Sequence, residues 1–145
     1  MFKQIALGSA LVMITTLVHT GCMMAAIRFL KKSNAGLRGG QLRWTREALI
    51  SVFVLLMFYA AILDISVWAV AYLAVGAMPS LEPALYFSTV TFTSLGYGDI
   101  VLNDGWRLLA ALESANGVMI FGWTTALIFA IVQRVYWPPP PADDT

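Results

Sequence analysis

Thr93-Ser94-Leu95-Gly96-Tyr97-Gly98-Asp99 is the stretch on which the reading of this chain turns. Gly-Tyr-Gly alone is a weak signal, since a glycine-rich turn between two strands also produces it. Its surroundings decide between the two. Just before it, residues 84–93 form an apolar segment too short to cross a bilayer. Such a segment is tolerated at membrane depth only inside protein or beside water. On either side lie long apolar runs, 48–75 and 106–135, and a third run begins at residue 5 and ends near residue 30. Each exceeds the roughly 18 apolar residues that mark a candidate membrane span.

The composition agrees. Of 145 residues, 59% are hydrophobic and 12% charged, and the mean hydropathy is +0.76. Soluble domains carry about 25% charged residues, so a soluble enzyme is excluded. A net charge of +1 gives no polybasic surface for nucleic acid. The single Cys22 supports no disulfide framework. The expected fold is an all-α membrane protein with three transmembrane helices and a re-entrant segment.

Of the nine cationic residues, Arg28, Lys31, Lys32, Arg38, Arg43 and Arg46 lie at or between the first two spans. By the positive-inside rule that link is cytoplasmic. The N-terminus is then outside and the C-terminus inside. The segment 76–105 is external, and it holds Glu82, Asp99 and Asp104 but no Lys or Arg. The expected organisation is an N-terminal span over 1–30, a basic link over 31–47, a pore-like module over 48–135 and a short cytoplasmic tail over 136–145. The first run is too long for a signal-peptide core and is followed by basic residues, so it reads as a retained span. Pro138, Pro139, Pro140 and Pro141 end the third span, because proline lacks an amide donor and clashes with the preceding turn.

With these flanks in place, Thr93–Asp99 resembles the selectivity-filter signature of potassium channels, Thr-(Thr/Ser)-Val-Gly-Tyr-Gly-Asp. Ala84-Leu85-Tyr86-Phe87-Ser88 is similar to the family's pore helix, and Trp106-Arg107 onward to its inner helix. The resemblance covers an outer helix at 48–75, pore helix and filter at 80–99 and inner helix at 106–135, as in small bacterial-type ion channel proteins. It implies a homotetramer in a cell membrane, by that likeness a bacterial inner membrane, passing K+ passively. It also implies K+ coordination by the carbonyls of Ser94, Leu95, Gly96 and Tyr97, within a filter spanning Thr93 to Gly98. Tyr86 and Asp99 would support the filter, and Gly117 would be the gating hinge. The physics is that K+ must exchange its water shell for rings of backbone carbonyls. Pointing successive carbonyls at one axis needs conformations that only glycine adopts cheaply. Two positions depart from the pattern. Leu95 stands for the commoner valine and Ser94 for the commoner threonine; both keep the carbonyl ladder, but leucine loses the β-branch that stiffens local packing.

Ahead of the filter, Ser80 is a candidate N-cap, with Glu82 and Pro83 suiting the first turn of a helix. Buried polar groups complete the set of candidates. Asp64, Asn116, Glu113 and His19 fall in one broad layer, roughly 10–21 Å from the outer ends of their helices at 1.5 Å per residue. Ionisable groups at such depth are functional candidates. One reading is a pH-responsive brace of Asp64 with Asn116 or with His19. The plainer one is a hydrogen bond that holds helices together. Small-residue helix packing is the alternative to the hinge at Gly117 and applies equally to Gly122, whose role stays open between close packing tied to gating and packing alone.

No span carries the repeated arginines of a voltage sensor, and no ATP-binding loop or inverted repeat is present. His19 and Cys22 lie apart from the other polar groups, so no catalytic constellation forms and an enzyme is not expected. The expected cofactor set is empty apart from K+ as permeant ion. The expected partners are other copies of the chain and membrane lipid, with no nucleic acid and no small-molecule substrate. A non-conducting subunit or scaffold that kept the fold is the alternative.

Overall fold

The computed structural model describes residues 1–36 and 46–136. It contains four helices: α1 Phe2–Gly36, α2 Arg46–Ala74, α3 Leu81–Phe92 and α4 Arg107–Tyr136. The central part of the basic link and the proline-rich tail lie outside the described residues. Helix α1 runs past residue 30, so the first stretch assigned to the link is helical.

Among the described residues three helices are long and apolar enough to span a membrane: Phe2–Leu30, Glu47–Ala74 and Arg107–Gln133. At 1.5 Å per residue each exceeds the hydrocarbon thickness of about 30 Å. Helix α3, with 12 residues, is about 18 Å long and reaches only part of the way. It enters between α2 and α4, while α1 packs against α2 and α4 and has no comparable contact with α3.

The α2–α3 turn is short because α2 ends in a Schellman motif. The Gly76 amide donates to Leu73 O at 3.0 Å and the Ala77 amide to Tyr72 O at 2.9 Å. Gly76 sits at φ +67°, the left-handed conformation this cap requires. Ser80 occupies the N-cap position of α3 in an extended conformation, but its side chain makes no capping bond.

The core lies where α2, α3 and α4 meet, with Trp68, Tyr72, Phe92 and Leu109 fully buried. Tyr72 meets Phe87 edge-on at 5.2 Å, and Phe92 meets Phe121 likewise at 5.7 Å. Helix α1 docks through a stripe at helical spacing, with Gln4, Gly8, Leu11, Thr15, His19 and Ala26 all buried. Its other faces expose Met13, Leu17, Met24 and Phe29, as a helix meeting lipid does.

Candidate functional site

The loop Thr93–Asp99 grows directly out of the end of α3. The Ser94 amide donates to Thr91 O at 2.9 Å, and the Leu95 amide to Val90 O at 3.0 Å. This is a second Schellman pattern, with Ser94 in the left-handed position usually held by glycine. The Gly96 amide also returns to Val90 O, at 3.2 Å. Consecutive amides are therefore directed back into α3, away from the free side of the loop.

Beyond the cap, left-handed φ recurs at every second residue: Ser94 at +58°, Gly96 at +59° and Gly98 at +76°. Alternating handedness turns successive peptide planes the same way and gathers like backbone dipoles on one side, which a regular strand does not do. Glycine adopts this conformation without strain, whereas a side chain there costs roughly 1–2 kcal/mol. At Ser94 that cost is borne by the cap bonds. The Ser94 hydroxyl also lies 2.9 Å from Ser114 Oγ of α4, a contact that links the loop to the inner helix. Thr93 donates its hydroxyl to Thr89 O at 2.7 Å, within its own helix.

At the outer end of the loop, the Tyr86 hydroxyl donates to Asp99 Oδ2 at 2.6 Å. This ties the first half of α3 to the residue after Gly98. The bond holds the Asp99 carboxyl below its ordinary value and, with the carboxylate's charge, the Tyr86 phenol above its own. Residues 93–99 are all exposed in a single chain, Tyr97 by 67% and Leu95 by 55%.

Gly117 sits where α4 crosses the end of α3. A Cβ there would run into the Phe92 carbonyl oxygen and lie 2.8 Å from its carbon. The close approach of two backbones is by itself sufficient reason for glycine at this position. At Gly122 a Cβ would meet nothing within 4 Å in the single chain.

The four buried polar candidates separate into three clusters. His19 Nδ1 lies 2.8 Å from Asp64 Oδ2, and His19 Nε2 lies 2.9 Å from Thr124 Oγ1, so one ring bridges α1, α2 and α4. Asp64 Oδ1 and Trp68 Nε1, one turn apart on α2, are buried and unpartnered. Asn116 is not part of that group. Its amide donates to Thr15 Oγ1 at 2.8 Å. Glu113 forms the third cluster. Tyr72 donates to its Oε2 at 2.5 Å, and Ser88 Oγ lies 2.5 Å from its Oε1. At the top of α1, Gln4 Oε1 accepts the Leu108 amide at 3.1 Å and satisfies a first-turn donor that α4 leaves open.

The sequence does not mark Tyr72, Ser88, Thr15, Thr124, Ser114 or Gln4 as polar partners of a site. Their signal was a hydroxyl or amide inside an apolar run, which is too common in membrane helices to select them. Among the described residues no group of three or more His, Cys, Asp or Glu is placed to hold a metal ion.

Three spanning helices, with a short helix ending in a turned-back loop between the last two, define a membrane pore module. A family model described as "Ion channel" matches residues 51–134, more than half of the chain. The chain belongs to this ion channel family and is a multi-pass membrane protein. The match covers α3, the loop and nearly all of α2 and α4, while α1 lies outside it. No curated protein and no solved structure was found that matches the chain.

Proposed function

We propose that the chain is a subunit of a potassium-selective channel in which four copies surround one axis, each contributing one loop. The observation that carries this is the alternation of left-handed residues at Ser94, Gly96 and Gly98, with the amides of Ser94, Leu95 and Gly96 tied back to α3. That backbone leaves the carbonyls of Ser94, Leu95, Gly96 and Tyr97 free to replace the water shell of K+. Assembly is supported by exposure. A loop rich in free peptide groups does not face lipid at membrane depth, so residues 93–99 need other copies and a water-filled axis to cover them. Residue 99 carries an acid and the segment 76–105 no base, which favours cation entry from the side it faces. By the positive-inside rule the basic link supports a reading in which that side faces out of the cell, with the N-terminus outside and the C-terminus cytoplasmic.

The test is flux. Purified protein in liposomes is expected to give barium-sensitive K+ flux, with a reversal potential that follows the K+ gradient in the presence of Na+. Comparable permeabilities for the two ions would refute selectivity. Absence of flux from correctly assembled protein would favour a non-conducting subunit.

A further inference from the structure

The Glu113 side chain is in direct contact with both other helices of the pore module. It lies on α4, takes a hydrogen bond from Tyr72 of α2 and contacts Ser88 of α3. It is fully buried. Ser88 Oγ also lies 2.8 Å from the carbonyl oxygen of Ile65 on α2. Counting protons across these contacts leaves one consistent arrangement.

A carbonyl oxygen only accepts, and a serine hydroxyl carries a single proton. If Ser88 gave that proton to Glu113, its oxygen and Ile65 O would face each other at 2.8 Å with no hydrogen between them. Two buried acceptors held so close repel, and each forfeits a bond. If Ser88 gives its proton to Ile65 O, the proton between Ser88 and Glu113 must come from Glu113. The 2.5 Å separations alone would also suit a carboxylate, whose O–H···O⁻ bonds run 2.5–2.7 Å. The third contact decides between them. Tyr72, the ionisable group Glu113 touches, then donates to the carbonyl-type oxygen Oε2. The carboxylic acid donates through Oε1 to Ser88, and Ser88 donates to Ile65 O. Every proton is used once and every oxygen is satisfied.

We infer that Glu113 is a neutral carboxylic acid, and that as such it is a positioning residue that fixes the middle of α3 against α2 and α4. It acts on the pore through Ser88: the far end of α3 is continuous with the loop, and the amides of Ser94, Leu95 and Gly96 hang from its last turn. Its role in conduction rests on the proposed potassium-channel function, whereas the location of the proton does not.

The two parts are tested separately on the full chain in liposomes. Glutamate labelled with 13C at the side-chain carboxyl distinguishes Glu113 from every aspartate by infrared spectroscopy. The other glutamates, Glu47 and Glu82, are exposed, where water solvates a carboxylate. Near neutral pH the labelled protein is expected to show a label-shifted C=O stretch of a neutral acid, and E113Q to lack it. Absence of that band from the wild-type protein overturns the inference. For the role in conduction, the amide of E113Q can donate to Ser88 and accept from Tyr72, so K+ flux should stay within about twofold of wild type. E113L leaves the Tyr72 hydroxyl without a partner and Ser88 with the Ile65 carbonyl alone, so α4 no longer holds α3 and flux should fall roughly tenfold or more. If folded E113Q fails as E113L does, the site needs a carboxylate and the inference is overturned. If the wild-type protein passes no K+, the channel proposal fails and the infrared band still decides where the proton lies.

Discussion

Replacing Gly117 by alanine separates two reasons for glycine in the middle of α4. A Cβ at this position would lie 2.8 Å from the carbonyl carbon of Phe92 and 3.2 Å from its Cα, against an ordinary contact of 3.4 Å or more. Both atoms belong to the backbone at the end of α3, so neither can swing aside as a side-chain tip would. Relief of the contact with the carbon alone requires α3 and α4 to separate by about 0.6 Å at their crossing, and the carbonyl oxygen, nearer still, requires more. Overpacking of this kind costs roughly 1–3 kcal/mol, and a backbone obstacle belongs at the upper end. Alanine returns about 1 kcal/mol of helix propensity, leaving a net loss of roughly 2 kcal/mol. Gly122→Ala is the matched control, because its Cβ meets nothing within 4 Å in the single chain and the same propensity gain applies. Unfolding of the reconstituted protein, followed by circular dichroism against denaturant, should place G117A clearly below wild type and G122A at or above it. If G117A unfolds like G122A and only the open probability changes, the close-approach argument is wrong and a hinge is the better account.

Three further outcomes are expected. Tyr86 and Asp99 shift each other in a direction that sets a pH window. The carboxyl is lowered from 3.8, so its contribution is present above that value and lost as pH falls through the lowered one. The phenol is raised from 10.0, so its contribution is present below that value and lost as pH rises through the raised one. Flux run-down should therefore be slowest between about pH 4 and 10 and accelerate at the acid edge, and Y86F should flatten that dependence; an identical profile in Y86F would count against the bond. His19→Ala leaves both Asp64 and Thr124 without their partner and should destabilise by roughly 1–3 kcal/mol, whereas Asn116→Ala should cost nearer 0.6 kcal/mol, the average for such bonds between membrane helices; equal losses in unfolding experiments would show that the His19 bridge is worth no more than a simple bond. Asp64→Asn tests the pH-responsive reading of that bridge: it should abolish any pH dependence of open probability and spare the proposed K+ over Na+ preference, and an unchanged pH dependence would leave the bridge as a helix-packing contact.

The sequence by itself determined the class of this protein, because the hydropathy of a run of residues is a local property. Three spans, a shorter segment between the last two and a glycine-punctuated loop are legible without tertiary information, and a carbonyl-lined segment needs Gly96 and Gly98 whatever surrounds it. The rise per residue also placed His19, Asp64, Glu113 and Asn116 at similar depth. What depth does not contain is direction around each helix axis and the identity of the facing helix. Those follow only when α1, α2, α3 and α4 pack together. Packing split one layer into three clusters, gave His19 to Asp64 and Thr124, gave Asn116 to Thr15, and assembled Tyr72, Glu113 and Ser88 from three elements. It likewise revealed that Gly117 faces the Phe92 carbonyl, since the approach of two backbones depends on the crossing of α3 and α4 and leaves no mark in either sequence beyond a glycine. Composition and spacing set the height of each group in the membrane; the rotation of one helix against the next set what each group touches.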